Sequence, residues 1–365
     1  MKLFWYRLVV ISAMAIAGSI EATEIYNRGG NKIDLFGKFN GGRYMSGSNA
    51  GDCSFFLYGL SGEAQLGEGF TGFGVLEQGF KLNPIEGEGK SKSTRLGLVG
   101  MKFNDTVSID YGRNYGILHD IGSWTSIMPT INNVTATATD NFIIGSSSGV
   151  LTYRNNNFFG TTDGLNFALQ YQGKNDLIKN KEKQEVHEAN GDGYGMSITY
   201  DLWNGMSIGA AYSSSNRALE QRLLKNNKKA EGYSLGLKYD ADNLYLAALY
   251  LETHNAVLYN KTVDSKEKKQ DFAKKTHNIE LVARYDFDFG LHPSIGYLQS
   301  TINRNYQSNR QDMKKYIGMG ASYNFSKNAL TFVDYRINLL SKNSFVQDTK
   351  LPTNNTIAVG MTYTF

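Results

Sequence analysis

Proline and cysteine are nearly absent from this chain, with 4 and 1 in 365 residues, and histidine reaches only 5. A single thiol, Cys53, has no second cysteine in the chain to pair with, so packing and hydrogen bonding must hold the fold. His119, His187, His254, His277 and His292 are scattered without metal-ligand spacing, and no Gly-rich phosphate loop or nucleophile elbow occurs. No catalytic residue, metal site or cofactor is expected, and the chain does not read as an enzyme. Asp286 and Asp288 sit two apart around a turn, which is better explained by turn chemistry than by a cation site. Beyond the N-terminus there is no apolar run long enough to cross a bilayer as a helix. Charge imbalance is also lacking: the formal net charge is +4, too near neutral to argue for a nucleic-acid partner.

What the chain has in quantity is glycine and aromatics, 39 Gly, 23 Tyr and 20 Phe. With so little proline, that balance favours many strands joined by tight turns. The last ten residues show the pattern most clearly. Ile357, Val359, Met361, Tyr363 and Phe365 alternate with Thr356, Ala358, Gly360, Thr362 and Thr364, a period of two that marks a strand. About ten residues rising roughly 3.3 Å each and tilted near 45° span roughly 23 Å, close to the apolar band of an outer-membrane barrel. A soluble sandwich edge would share the alternation, so the remaining chain has to decide.

Residues 1–22 have the form of a secretory signal peptide, with Lys2 and Arg7 ahead of a short apolar stretch, and cleavage is expected after Ala22. The mature chain is then 23–365. From residue 160 onward, short turn-like stretches at 161–164, 201–205, 240–243, 286–290 and 324–328 alternate with long polar segments at 174–192, 214–231, 253–275, 301–312 and 341–354. Each interval fits two strands and one long loop, the signature of an up-and-down antiparallel meander. Aromatics crowd the short turns, as at Tyr200, Trp203, Tyr285, Phe287, Phe289, Tyr323 and Phe325, a placement suited to a membrane interface. Upstream, 32–44, 54–66, 71–80, 94–103 and 107–115 read as five more strands. With about eleven after residue 148 the total is about sixteen, enough to enclose water once the sheet closes. The expected fold is therefore all-β, a transmembrane antiparallel barrel. One long connection, 116–148, breaks the rhythm; it carries Trp124, Ile127, Met128 and Pro129 and is too apolar to extend freely into water.

Several segments together resemble the enterobacterial general porins of the OmpF/OmpC type. They are Thr23-Glu24-Ile25-Tyr26-Asn27, Asp110-Tyr111-Gly112-Arg113-Asn114-Tyr115-Gly116, Thr152-Tyr153-Arg154-Asn155 with Phe158-Phe159-Gly160, Asp163-Gly164-Leu165-Asn166-Phe167, Phe287-Asp288-Phe289-Gly290-Leu291, and Val359-Gly360 through Phe365. The resemblance covers essentially the whole mature chain. It implies a homotrimer of sixteen-stranded barrels in the outer membrane, passive diffusion of ions and small hydrophilic solutes, and a third loop, here 116–148, folded into each lumen. A subunit latch would fall at about 81–92.

In that family the constriction sets basic wall residues against acidic loop residues. Carried over by motif, Lys38 and Arg95 are retained wall cations and Glu77 a retained lumenal carboxylate. Leu57 and Ser146 stand where the family has arginines, and Ser93 where it has a lysine. Ser126 and Thr130 stand where it has acidic loop residues. The resemblance thus implies an eyelet of reduced charge with weak ion selectivity. The alternative is a solute-selective channel with a binding site on a neutral loop; a barrel enzyme would need a catalytic cluster at the rim. The basic runs 225–229 and 266–275 could touch lipopolysaccharide or be solvated loops.

Overall fold

A computed structural model describes residues 22–45, 50–84, 92–130, 141–175, 189–224, 228–263, 267–303 and 310–365. Almost all of the leader, part of the latch segment and residues 131–140 of the long connection lie outside that set. The elements run β1 (Thr23–Arg28), β2 (Asn31–Tyr44), β3 (Gly51–Asp52), β4 (Phe55–Gly67), β5 (Phe70–Lys81), β6 (Lys92–Phe103), β7 (Val107–Tyr115), β8 (Ser146–Asn155), β9 (Leu165–Gln172) and β10 (Gly193–Asp201). They continue with β11 (Met206–Asn216), β12 (Lys229–Ala241), β13 (Leu244–His254), β14 (Leu258–Val263), β15 (Glu267–Phe272), β16 (Lys275–Tyr285), β17 (Leu291–Asn303), β18 (Arg310–Asn324), β19 (Ala329–Asn338) and β20 (Thr356–Thr364).

Eighteen of these strands hydrogen-bond into one sheet in which every pairing is antiparallel and follows chain order. β2 closes it, pairing with β4 along one edge and with β20 along the other. β1 lengthens the β20 side of β2, and β3 is a two-residue pairing within the first long loop, so the ring is a closed barrel of sixteen staves. The seam is tight. Gly37 and Phe365 exchange backbone hydrogen bonds of 2.8 and 3.0 Å, and a Cβ at Gly37 would lie 2.3 Å from Phe365 Cζ. Closure satisfies the edge amides that hydrocarbon cannot solvate.

Alternation decides which way each side chain points. In β20, Ile357, Val359, Met361 and Tyr363 are exposed on the outside, while Thr356, Ala358 and Thr362 are buried inside. Leu235 is 61 % and Val99 66 % exposed on the same outer face, an apolar cover that water would not tolerate and lipid does. Short turns close one end. Asp242 and Asn243, both at positive φ, make a two-residue turn whose backbone twist matches the strands on either side. Trp203, Phe289 and Phe325 stand exposed at that end, as the aromatic belt predicts.

Strand bounds follow the expected spans within two residues for β2 and β4 to β7, and 107–115 is reproduced outright. Two differences stand out. The segment 253–275 is not a plain polar loop, because β14 and β15 pair as a hairpin beyond the barrel rim. The segment 214–231 is not a plain polar loop either, with strands reaching Asn216 and starting at Lys229 and a helix at Leu219–Leu224 between them. In both cases, polar residues that look like loop in isolation satisfy their backbone by pairing or coiling above the membrane.

Candidate functional site: the inner wall and the long connection

The long connection starts at Gly116, whose amide donates to Gly145 O at 2.6 Å, so its two ends are pinned together. It then turns inward, and its apolar side chains seat on inward-facing glycines. A Cβ at Gly195 of β10 would lie 2.6 Å from Ile117 Cγ2, and one at Gly232 of β12 2.4 Å from Leu118 Cδ1. At Gly209 of β11 and Gly236 of β12 the intruder would be Ile121, at 2.4 and 2.5 Å, with Trp124 close behind. Only glycine leaves the room these side chains occupy. Ile117, Leu118 and Ile121 are consequently buried, together with Phe142 and Ile144 of the returning segment.

Polar clips continue the path. Asp120 accepts both Arg154 terminal nitrogens, at 3.0 and 2.9 Å, and the Ser197 hydroxyl at 2.6 Å. Tyr245 of β13 donates to Trp124 O at 2.6 Å, and Thr125 donates to the buried Glu280 of β16 at 2.6 Å. Met128 lies against Gly296 of β17 and Gly320 of β18. Finally, the Thr130 amide and hydroxyl both donate to Asp334 of β19, at 2.9 and 2.6 Å. From 117 to 130 the connection therefore follows the inner wall from β10 round to β19.

The opposite wall, β2 and β4 to β7, carries most of the positions singled out by resemblance. Lys38 pairs in register with Leu57, Leu57 with Gly79, and Gly79 with Ser93, placing three of them on one row across β2, β4, β5 and β6. Arg95 is the extra residue of a bulge opposite Glu77 and Gln78. That bulge turns its side chain into the lumen beside Glu77, a common way of re-aiming a side chain. Arg95 Nε lies 3.2 Å from Glu77 Oε1, and Arg95 Nη2 donates to the Tyr115 hydroxyl at 3.0 Å. Tyr115 stacks on His119 at 4.1 Å and pairs in register with Ser146 of β8. Lys38 has its Nζ 5.9 Å from the Phe55 ring centroid and feels the charge of Arg95.

The two loop positions behave differently from the wall positions. Ser126 ends a short helical turn, its amide donating to Ser123 O at 3.0 Å, and Thr130 is committed to Asp334 on the far wall. Residue reasoning missed Asp334 and Glu280, the carboxylates that hold the loop, although both stand on inward positions of strands whose alternation is readable. Arg336 and Lys314 were missed as well. The described histidines divide among separate places, His119 on Tyr115, His254 and His277 on Glu252, and His292 on Asp286, while His187 lies outside the described residues. No group of described residues could hold a metal ion. Asp286 accepts Arg284 Nε and His292 Nδ1, both at 2.7 Å, so this turn carboxylate is used internally. Burial opposes its ionisation, but those two partners outweigh it and hold the carboxyl below its usual range.

With this geometry, comparison with known proteins is direct. The family model described as Gram-negative porin matches residues 28–365. This chain belongs to the Gram-negative porin family. Outer membrane protein F of Serratia marcescens is 46 % identical over 370 residues, covering 98 % of each chain. The outer membrane porin protein OmpD of Citrobacter koseri is 45 % identical over 365 residues, again covering 98 % of each. Among solved structures, OmpF of Salmonella typhi in complex with daunomycin superposes with a TM-score of 0.84 at 41 % identity, covering 94 % of this chain and 100 % of that one. The protein is thus an outer-membrane diffusion porin, a multi-pass β-barrel of a family of channels. These relatives do not favour the solute-selective alternative.

Proposed function

We propose that the porin sieves solutes between two unlike walls, with the connection 116–148 narrowing the lumen from one side and the Lys38–Leu57–Ser93 row with Arg95 lining the other. The observation carrying this is the path of residues 117–130 along β10 to β19, on the side away from β2 and β4 to β6. Glu77 and Arg95 largely cancel each other, and leucine or serine at Leu57, Ser93, Ser126 and Ser146 brings no charge, so this row has a weak transverse field. Passage is passive, no bond is made or broken, and the cargo is ions and small hydrophilic solutes.

Residues 1–22 serve as the cleaved export signal, and the working unit is a homotrimer set in outer-membrane lipid and lipopolysaccharide. The stacked rings of Phe39, Phe56, Tyr58 and Phe80, with Phe365 beside them, support subunit contact on the outer face of β20, β2, β4 and β5. Planar-bilayer recording of the purified protein tests this reading. Ohmic conductance steps grouped in threes are expected; a preparation that inserts but never conducts would overturn it.

A further inference from the structure

The wall that holds the loop carries inward cations that the family resemblance did not mark: besides Lys238 over Trp124 and Arg284 paired to Asp286, it has Lys314 and Arg336 nearer the long-loop end. Lys314 of β18 pairs in register with the buried Ser300, on the lumen side. The charged groups acting on it are Glu280 and Arg336. Arg336 of β19 stands two residues beyond Asp334 toward the long-loop end. Its guanidinium carbon lies 5.6 Å from the Tyr316 ring centroid, and Nη2 donates to Thr356 Oγ1 at 2.9 Å. Among the described residues, neither cation makes ion-pair contact with a carboxylate.

The acids of this region occupy a different layer. Glu280 and Asp334 are 3 % and 0 % exposed, and each is bonded to a loop threonine. Lys314 and Arg336 are partly buried, more open than those two carboxylates. The loop adds little negative charge to offset them. In 116–148 the only acidic residues are Asp120, locked to Arg154, and Asp140, which lies outside the described residues. Met128 touches Gly320, six residues from Lys314 toward the short-turn end, so both cations sit on the long-loop side of the tether. A solute entering from that side meets them before the constriction.

We propose that Lys314 and Arg336 form an anion-guiding pair at the entrance to the constriction, giving the pore a preference for chloride and small oxyanions over cations. Charge on a low-dielectric wall raises the local counter-ion concentration, and guanidinium and ammonium groups without carboxylate partners attract any small anion. The proposal rests on the diffusion-porin reading. A protein that forms no channels would refute that reading, whereas channels with the wrong selectivity would refute only this one.

The test is the reversal potential in a KCl gradient across a planar bilayer. The wild-type protein is expected to pass anions in preference to cations. The double variant Lys314→Gln, Arg336→Gln is expected to lower the anion-to-cation permeability ratio about threefold. Lys315→Gln, on the outer face one residue away, should leave the ratio unchanged. A cation-preferring wild type, or an unshifted double variant that still conducts, would overturn the proposal. Should the double variant fail to assemble, salt dependence of the wild type decides. The preference must weaken as salt rises and the Debye length shortens, and a salt-independent ratio would overturn it too.

Discussion

The two halves of the inner wall are built from the same alternating strands and do opposite things. On β10 to β19 the inward positions are given over to holding a loop: glycines receive Ile117, Leu118, Ile121 and Trp124, and Glu280 and Asp334 receive Thr125 and Thr130. On β2 and β4 to β6 no glycine or carboxylate is seen to seat the described part of the loop, and the inward row carries Lys38, a buried Leu57 and Ser93, with Arg95 beside it. The contrast teaches that a buried acid in a pore need not shape the ion path. On the loop-bearing side carboxylates act as hydrogen-bond acceptors for positioning, which requires burial. The charges left to act on solutes are the partly buried cations, among them Arg95 on the bare side and Lys314 and Arg336 on the other, while Glu77 is buried like Glu280 and Asp334.

The largest expected effect comes from filling the glycine track. Gly236→Val would force a side chain into Ile121 and Trp124, and overpacking of this kind costs about 1–3 kcal/mol. Thermal unfolding in detergent should show it, and open-channel conductance should change as the loop shifts. The matching change on the bare wall, Gly79→Ala, meets only ordinary contacts at 3.5 and 3.6 Å, and should be close to neutral in both measurements. Equal effects at the two sites would erase the distinction between the walls.

Next in size is the clip at the loop tip. Asp334→Ala leaves the Thr130 amide and hydroxyl without their acceptor, at a cost of about 1–3 kcal/mol. Noise in the open-channel current should rise. Thr130→Ala in the same background should add little, because both changes remove one interaction; additive losses would show that the two groups act separately.

Leu57→Arg probes the bare wall. An arginine on the row with Lys38 would fill part of the lumen, and single-channel conductance should fall by roughly a third on the steric and electrostatic grounds that govern pores. An unchanged conductance would mean the row lies away from the narrowest point. The smallest effect is expected outside both walls, at the Asp286 turn. Its carboxyl titrates below the usual range, so its stabilisation is full above about pH 4 and is lost as pH falls through its lowered folded value. Asp286→Asn should cost about 0.5 kcal/mol at neutral pH after solvent screening, and nothing in strong acid, as read from melting curves.

Much of the barrel is legible in the sequence because a period of two leaves little freedom: once Ile357, Val359 and Met361 face lipid, Thr356 and Ala358 face inward. The short turns are equally plain, since Asp242 and Asn243 are residues that tolerate positive φ. Two kinds of feature resist. The bulges at Arg95 and near Met313 slip the alternation by one, so whether Lys314 or Lys315 points inward depends on a register that composition does not reveal. The path of the long connection depends on which distant glycines accept Ile121 and Trp124, a matter of tertiary contact. Asp334 and Arg336 are legible by the same rule, because both share the inward face of β19 with Phe332.

The glycine track also constrains how such a protein can drift over generations. Gly209 and Gly236 answer to Ile121 and Trp124 as a lock answers to its key. A larger residue at either glycine is tolerable only when the loop shrinks opposite it. Substitutions there should therefore arise as matched pairs separated by about a hundred positions in the gene product, while the bare wall is free to vary one residue at a time and to retune what the channel admits.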